Sequence, residues 1–198
     1  LRNTNRNVYI MKIEKIEEHH VAVDLIPAKA NILDLGCRGF KFTNYWRSIH
    51  GGIHNVVAVD CDDLPGHEKE YHKIAISDYN GLCGIKKFDD PNATQIQYGD
   101  DVECFTLEKF MFALDVDQWD LIKMDIEGSE HKVLRNMMMP RAKQISVEFH
   151  MHLPQNDQAG IDKTVHHLLE LGYEIATHEK TQEHGAGWNY WSSLFILK

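Results

Sequence analysis

The sequence predicts an α/β fold in which a mostly parallel sheet is covered by helices on both faces. Short β-branched runs alternate with helical stretches over most of the length, and glycine or proline stands at many of the junctions. The 198 residues are 43% hydrophobic and 26% charged, enough to build one core of ordinary size, which excludes disorder. Neither a long-period repeat nor a low-complexity tract is present. The whole chain, 1–198, therefore reads as one domain, with 1–29 a helical N-terminal extension and 30–198 the core.

The elements follow in order. Residues 11–25 have a mixed, helix-like spacing that Pro27 ends, because the residue before a proline is driven out of the helical region. Asn31-Ile32-Leu33-Asp34-Leu35 is a short apolar run stopped by Gly36 and reads as a buried strand. A helix follows Gly39 to about His50. Val56-Val57-Ala58-Val59, closed by Asp60, is the second strand. A third covers 73–77, before the Asn80-Gly81 turn. Residues 82–104 show no clear period and read as irregular. Thr106 caps a short helix, and 119–124 is a strand ending at Asp125. The helix after Gly128-Ser129 carries Val133, Leu134, Met137 and Met138 on one face and stops before Pro140. A strand over 144–149 leads into a loop around Pro154. Ile161, Val165, Leu168 and Leu169 then give an amphipathic helix that Gly172 ends. The last two runs, 173–178 and 192–197, have no helix between them, which predicts an antiparallel edge.

Charge and composition exclude several functions. The 21 Lys and Arg against 30 Asp and Glu leave a formal charge of -9. That field repels a phosphate backbone, and the densest basic cluster is only Lys86-Lys87, so no nucleic-acid partner is expected. No run nears the roughly 18 apolar residues of a membrane span, and residues 1–10 lack the apolar core of a secretory signal. Cys37, Cys61, Cys83 and Cys104 are scattered without a CxxC pair, which suits a reducing compartment. A cytoplasmic protein with no membrane partner is expected. The chain begins at Leu1, so a preceding segment stays open, as does the oligomeric state.

In a parallel sheet, ligands bind beyond the carboxyl ends of the strands, where the strand order switches. The residues closing the strands here are Asp34, Asp60, Ser77 with Asp78, Asp125 with Glu127, and Glu148 with His150. Almost every parallel strand thus delivers an acid or hydroxyl to one rim. The turn Asp34-Leu35-Gly36-Cys37-Arg38-Gly39 lets the backbone approach a ligand. Its glycines match neither GxGxxG nor the GxxxxGK[ST] phosphate loop, which disfavours NAD and nucleotide-sugar enzymes. Asp34 can pair with a cation, and Asp60 can accept two hydrogen bonds from a diol. S-adenosyl-L-methionine carries both groups.

The segments ILDLGCRGF, VVAVDCDD, KIAISDYNG, DVECFTLEKFM, WDLIKMDIEGSEHKVL and ISVEFHMH occur in the order seen in the FkbM-type S-adenosylmethionine-dependent methyltransferases, which the sequence resembles over about residues 30–198. The most specific part is Leu121-Ile122-Lys123-Met124-Asp125-Ile126-Glu127-Gly128 with Glu130 and Leu134 behind it and Thr106-Leu107 upstream. The resemblance implies a Rossmann-like class I methyltransferase fold, seven-stranded with the last strand antiparallel, and S-adenosyl-L-methionine as cofactor. The cofactor contacts expected are Asp34, Gly36, Cys37, Gly39, Asp60, Ser77, Asp78 and Asp125. Two departures stand out: Arg38 replaces a glycine common in class I enzymes in a turn one residue shorter than usual, and Asp60 is followed by Cys61-Asp62 in place of the familiar proline.

The resemblance also implies methyl transfer to a substrate oxygen, an in-line displacement in which the enzyme mainly positions the two reactants. A hydroxyl acceptor needs a base. The catalytic candidates are Glu148, His150, Asp125 and Glu127, with Glu148 or His150 as base and the other two holding cofactor or substrate. Glu127 could merely favour the positive end of the helix that follows, but two acids flanking one residue exceed what a helix start requires. His150 and His152 form an HxH pair, yet thirteen histidines make a chance pair easy, and no metal is expected. His19-His20 and His166-His167 read as solvated helix positions. The loop 183–191, rich in glycine and aromatic residues, reads as a lid, a sugar-stacking surface or plain cover for the last strand. Residues 82–101 are a second candidate for substrate contact. The expected reaction is O-methylation of a hydroxyl on a small molecule or glycan. Its rivals are an N-methyltransferase and a non-catalytic S-adenosylmethionine-binding module, the latter having no reason to keep the four rim residues together.

Overall fold

The apolar runs pair much as expected in the computed structural model of the chain, which describes residues 11–87, 94–150, 158–182 and 189–198. The N-terminal stretch is the first correction. In place of a helix over 11–25 there is an antiparallel hairpin of β1 (Ile13–Ile16) and β2 (His19–Ala22), with Glu17, at φ 54°, in its two-residue turn. A tertiary partner outweighs local spacing here. The buried Gln144 amide accepts from the Ala22 N–H (2.9 Å) and donates to the Ala22 carbonyl (3.1 Å), which only extended backbone can offer together. His19, far from being a solvated helix position, is 2% exposed.

The chain then runs β3 (Asn31–Leu35), α1 (Lys41–Ser48), β4 (Asn55–Asp60), β5 (His72–Lys73), β6 (Ala75–Ser77), β7 (Gly81–Lys87), β8 (Thr94–Thr106) and α2 (Leu107–Ala113). It continues with β9 (Trp119–Met124), α3 (Glu130–Asn136), β10 (Ala142–His150), α4 (Gln158–Glu170), β11 (Tyr173–Gln182) and β12 (Asn189–Leu197). The central sheet has seven strands in the order β11-β12-β10-β9-β3-β4-β5. The five from β10 to β5 are parallel, and β12 is antiparallel to both of its neighbours. The last strand is therefore antiparallel as expected, but it is inserted between β10 and β11 and does not form the edge.

Helices cover both faces. Phe42 and Trp46 of α1 join Ile32 and Leu121 in one cluster, while α2, α3 and α4 pack Phe110, Leu134 and Leu168 around Leu33, Ile122 and Ile145. Side chains alternate across a strand, so β3 and β9 feed both clusters, and every residue of β9 is buried.

Two expectations about the middle of the chain change. The run 73–77 is not one strand: Ile74 separates β5, which pairs with β4, from β6, which pairs with β8 in a separate three-stranded sheet ordered β6-β8-β7. Where the described residues cover it, the segment 82–104 is a hairpin of β7 and β8 and not an irregular stretch. Its missing period has a cause. The register shifts at Cys83/Gly84, where Gly84 and Gly99 lie so close that a Cβ on Gly99 would stand 2.5 Å from the Gly84 Cα. The loop around Pro154, His152 and most of the 183–191 loop lie outside the described residues. Among the described residues, no helix is long and apolar enough to cross a membrane.

Candidate functional site

The turn after β3 is tied into both neighbouring strands. The Gly36 and Cys37 N–H groups donate to the Val59 carbonyl (2.9 and 3.1 Å), and the Asp125 N–H donates to the Leu35 carbonyl (3.1 Å). Gly36 stands at φ 79°, and a Cβ there would fall 1.7 Å from the Asp125 carbonyl oxygen, so no other residue fits. Beneath this turn lies a residue the sequence reading passed over. The Lys123 ammonium donates to the Gly36 and Leu35 carbonyls (2.6 and 3.3 Å) and pairs with Asp34 at 3.2 Å and Asp125 at 3.6 Å. Burial works against its charge, yet Asp34 and Asp125 outweigh it and raise the lysine above its ordinary value. A lysine inside the otherwise apolar run of β9 was the available signal, since that residue type is almost never fully buried without partners.

Asp34 is consequently turned away from any ligand. It is 1% exposed, accepts from the Thr43 hydroxyl (2.6 Å) and holds Lys123. The carboxylate expected to face a cofactor amino group thus meets the Lys123 ammonium beneath the turn.

A cleft opens beside the turn. Gly36, Arg38, Asp60, Thr94, Asp125 and Glu127 are among its walls. Asp60 closes β4 with its carboxylate accepting from the Asp62 N–H (2.9 Å), and burial raises its pKa. Arg38, the residue that departs from the family's usual glycine, bonds Asp62 and Thr94, while Lys87 pairs with the other Asp62 oxygen at 2.9 Å. This network fastens the β7–β8 hairpin to the glycine turn, so Thr94 and Ile96 line the cleft. Of the segment 82–101, expected to contact substrate, these two positions face the cleft. Of the other expected cofactor residues, Cys37 is buried, and Gly39, Ser77 and Asp78 do not line the cleft; the Ser77 hydroxyl donates to Asp78 (3.1 Å).

At the ends of β9 and β10 the structure brings Asp125, Glu127, Glu148 and His150 together. Glu127 adopts φ 51° and Gly128 φ 103°, a strained turn that lies before α3. A helix start does not need Glu127 in that conformation. The turn is organised by Glu130, a second residue the sequence reading used only as a family mark. It is fully buried, and one of its oxygens accepts from the Ile126 and Gly128 N–H groups (3.1 Å each) and meets His150 Nδ1 at 2.9 Å. His150 Nε2 lies 3.5 Å from Asp125 and 3.6 Å from Glu127. Burial alone would lower the imidazole, but Glu130, Asp125 and Glu127 push it up to about 10, so it is a cation at neutral pH. Burial opposes ionisation of Asp125 too, but Lys123 and His150 hold that carboxyl below its usual value. Glu148 goes the other way: burial, reinforced by Asp125, pushes it up to about 8, and its Oε1 is buried without a hydrogen-bond partner. His19 reaches the same rim from β2, and burial with Lys123 nearby pulls it down to about 3. Asp125 is common to two sets of possible ligand atoms, His19–Asp125–Glu148 and Asp125–Glu127–His150, each within 4.8 Å. The expectation of no metal thus meets a rim built of metal-ligand types. His166 and His167 stay apart on α4, the former largely exposed and the latter bonded to the Met137 carbonyl (2.8 Å).

A cleft at the carboxyl ends of parallel strands, floored by a glycine turn and flanked by strand-end acids, defines the class as a Rossmann-like methyltransferase. Residues 30–175 match the Methyltransferase FkbM domain family, and the chain belongs to it. It is an S-adenosylmethionine-dependent methyltransferase, in agreement with the resemblance seen in the sequence. No curated protein matches. Solved structures similar to the chain include the fibrillarin pre-rRNA processing protein of Methanococcus jannaschii, at 13% identity and TM-score 0.48, covering 98% of this chain and 86% of that one. The 1,6-didemethyltoxoflavin-N1-methyltransferase of Burkholderia thailandensis, solved with S-adenosylhomocysteine, has 11% identity and TM-score 0.45 over 86% and 72%. The magnesium protoporphyrin IX methyltransferase of Synechocystis, solved with S-adenosylmethionine, has 12% identity and TM-score 0.43 over 89% and 73%.

Proposed function

We propose that the protein methylates a hydroxyl oxygen of a small molecule or glycan, and that 1–198 acts as one methyltransferase domain in the cytoplasm. The observation that supports this best is Glu148, a buried carboxyl pushed up to about 8, close to Asp125, which lines the cleft and lies 3.5 Å from the cationic His150. S-adenosylmethionine, when bound, supplies the methyl group. Asp60 would receive its ribose hydroxyls, because a strand-end carboxylate offers two acceptor oxygens on the cleft wall. Gly36 would leave room for its methionine part beside Asp125, whose carboxylate would face the amino group.

In the transfer, the acceptor oxygen bonds to the methyl carbon while the carbon–sulfur bond breaks and its electron pair goes to sulfur. Of the two base candidates, Glu148 takes the hydroxyl proton, since a group pushed to about 8 is basic enough to accept it and ionised often enough to be ready. His150 already carries its proton and holds Asp125 and Glu127 in place. Calorimetry with S-adenosylhomocysteine should show binding that Asp60→Ala weakens; absence of heat with the wild-type chain would remove the reading. A screen of hydroxyl acceptors with labelled methyl donor identifies the substrate, and label found only on amines would favour an N-methyltransferase.

A further inference from the structure

We propose that this rim is also a divalent-cation site, formed by His19, Asp125 and Glu148. One ligand atom from each lies within 4.8 Å of the others. Three ligands spread evenly about 2.1 Å from one ion stand about 3.6 Å apart, so side-chain movements on the order of an ångström bring the three donors onto one ion. The Glu148 side chain supplies the strongest sign of a missing partner. It is 7% exposed, and its Oε1 is buried with no hydrogen bond, an arrangement that is costly unless something occupies the space. His19 is prepared for the role by the contact of its Nδ1 with the Ser146 hydroxyl (3.3 Å), the kind of outer bond that fixes a ligating imidazole and leaves Nε2 for the ion.

Charge around the site favours occupancy. Asp34, Asp125, Glu127, Glu130 and Glu148 gather there against two cations, Lys123 and His150. Both cations are committed to carboxylates other than Glu148. The alternative set of Asp125, Glu127 and His150 is the weaker candidate, because His150 already faces Glu130 through Nδ1 and the two acids through Nε2. One imidazole with two carboxylates suits Mn²⁺ or Zn²⁺ better than Mg²⁺. His19 comes from the hairpin that precedes the family match, so the site joins an added element to the conserved-fold part of the chain. Ion binding does not require the O-methylation reading; contact of the ion with an acceptor oxygen does.

The test is titration of the chelator-treated full chain with Mn²⁺, read by electron paramagnetic resonance and calorimetry. The expected result is one ion per chain, nitrogen coupling in the pulsed spectrum, and affinity weaker by at least about tenfold in His19→Asn and in Glu148→Gln. Thermal melts of each variant report folding, and if His19→Asn fails to fold, Glu148→Gln with the wild-type nitrogen coupling decides the matter. Failure of the wild-type chain to bind Mn²⁺ at millimolar concentration overturns the site. So does binding that survives in Glu148→Gln but is lost in Glu127→Gln. Binding of S-adenosylhomocysteine, measured in parallel, separates loss of the ion site from loss of the methyltransferase reading.

Discussion

The two ends of the cleft treat their polar groups in opposite ways. Beside the glycine turn, opposite charges meet within the chain: Lys123 lies among two carbonyls and two carboxylates, and Asp34 faces Lys123 and accepts from Thr43. At the ends of β9 and β10 acids outnumber the cation His150, and the balance is poorer. Glu148 keeps an orphan oxygen, Glu127 accepts a left-handed backbone, and the pKa values of Glu148 and His150 are displaced in one direction while that of His19 is displaced in the other. A satisfied cluster builds a rigid floor; an unsatisfied one waits for a ligand or a proton. Stability should therefore reside at the first end and chemistry at the second.

The sharpest way to break this contrast is at Gly36. Alanine there meets the Asp125 carbonyl at 1.7 Å and carries a positive φ as well, so the turn cannot close. Gly36→Ala should cost on the order of 4 kcal/mol or more in denaturant unfolding and abolish S-adenosylhomocysteine binding. A variant with wild-type stability would mean that the floor is not rigid.

Next in size is Lys123→Met, which leaves Asp34 buried without a counter-charge. The expected loss is about 3–5 kcal/mol, with much of it recovered in the double variant Lys123→Met/Asp34→Asn. Additive losses in that cycle would show that the two residues do not act as a pair.

Glu148→Gln should behave differently. It keeps the shape of the side chain and removes its charge and its proton chemistry, so, measured with chelator present, fold and cofactor binding should persist while turnover falls by about 10²–10⁴. Equal turnover in the variant would return the role of base to His150 or to water.

What the sequence made legible follows from how local each signal was. The strands β3, β4 and β9 read as short runs dominated by apolar residues, and the closing acids of these strands and of β10 were visible as a rim. Glu148 and His150 could be picked out because they end such a run. His19 could not. Its neighbours have the spacing of a helix, and it is pairing with β1 together with the distant Gln144 that makes the segment a strand and carries the imidazole to the rim. Lys123 and Glu130 were harder to assign for a related reason: each works through partners on other elements, and a lysine inside an apolar run signals a paired charge without naming its partners. The β7–β8 hairpin was obscured by its own register shift at Cys83/Gly84.

The smallest expected effect concerns how the unmatched rim responds to pH, with chelator present. Glu148 titrates at about 8 in the fold against an ordinary value of 4.5, so the folded chain binds the extra proton between these limits and stability falls as pH rises through them. His150, pushed up to about 10 from 6.5, adds a fall of the same sign from 6.5 upward. His19, pulled down from 6.5 to about 3, is neutral in the fold, and its contribution is lost as pH falls through that window. Between 4.5 and 6.5 the Glu148 and His19 slopes cancel. Stability should thus be level there, decline below, and decline above 6.5, twice as steeply up to 8, where Glu148 and His150 both titrate, as beyond it. In Glu148→Gln the slope from 4.5 to 6.5 should turn upward, because only His19 then titrates in that interval. A flat profile in both proteins, measured by urea unfolding across pH 4–9, would show that the rim is already matched and that the contrast between the two ends of the cleft does not hold.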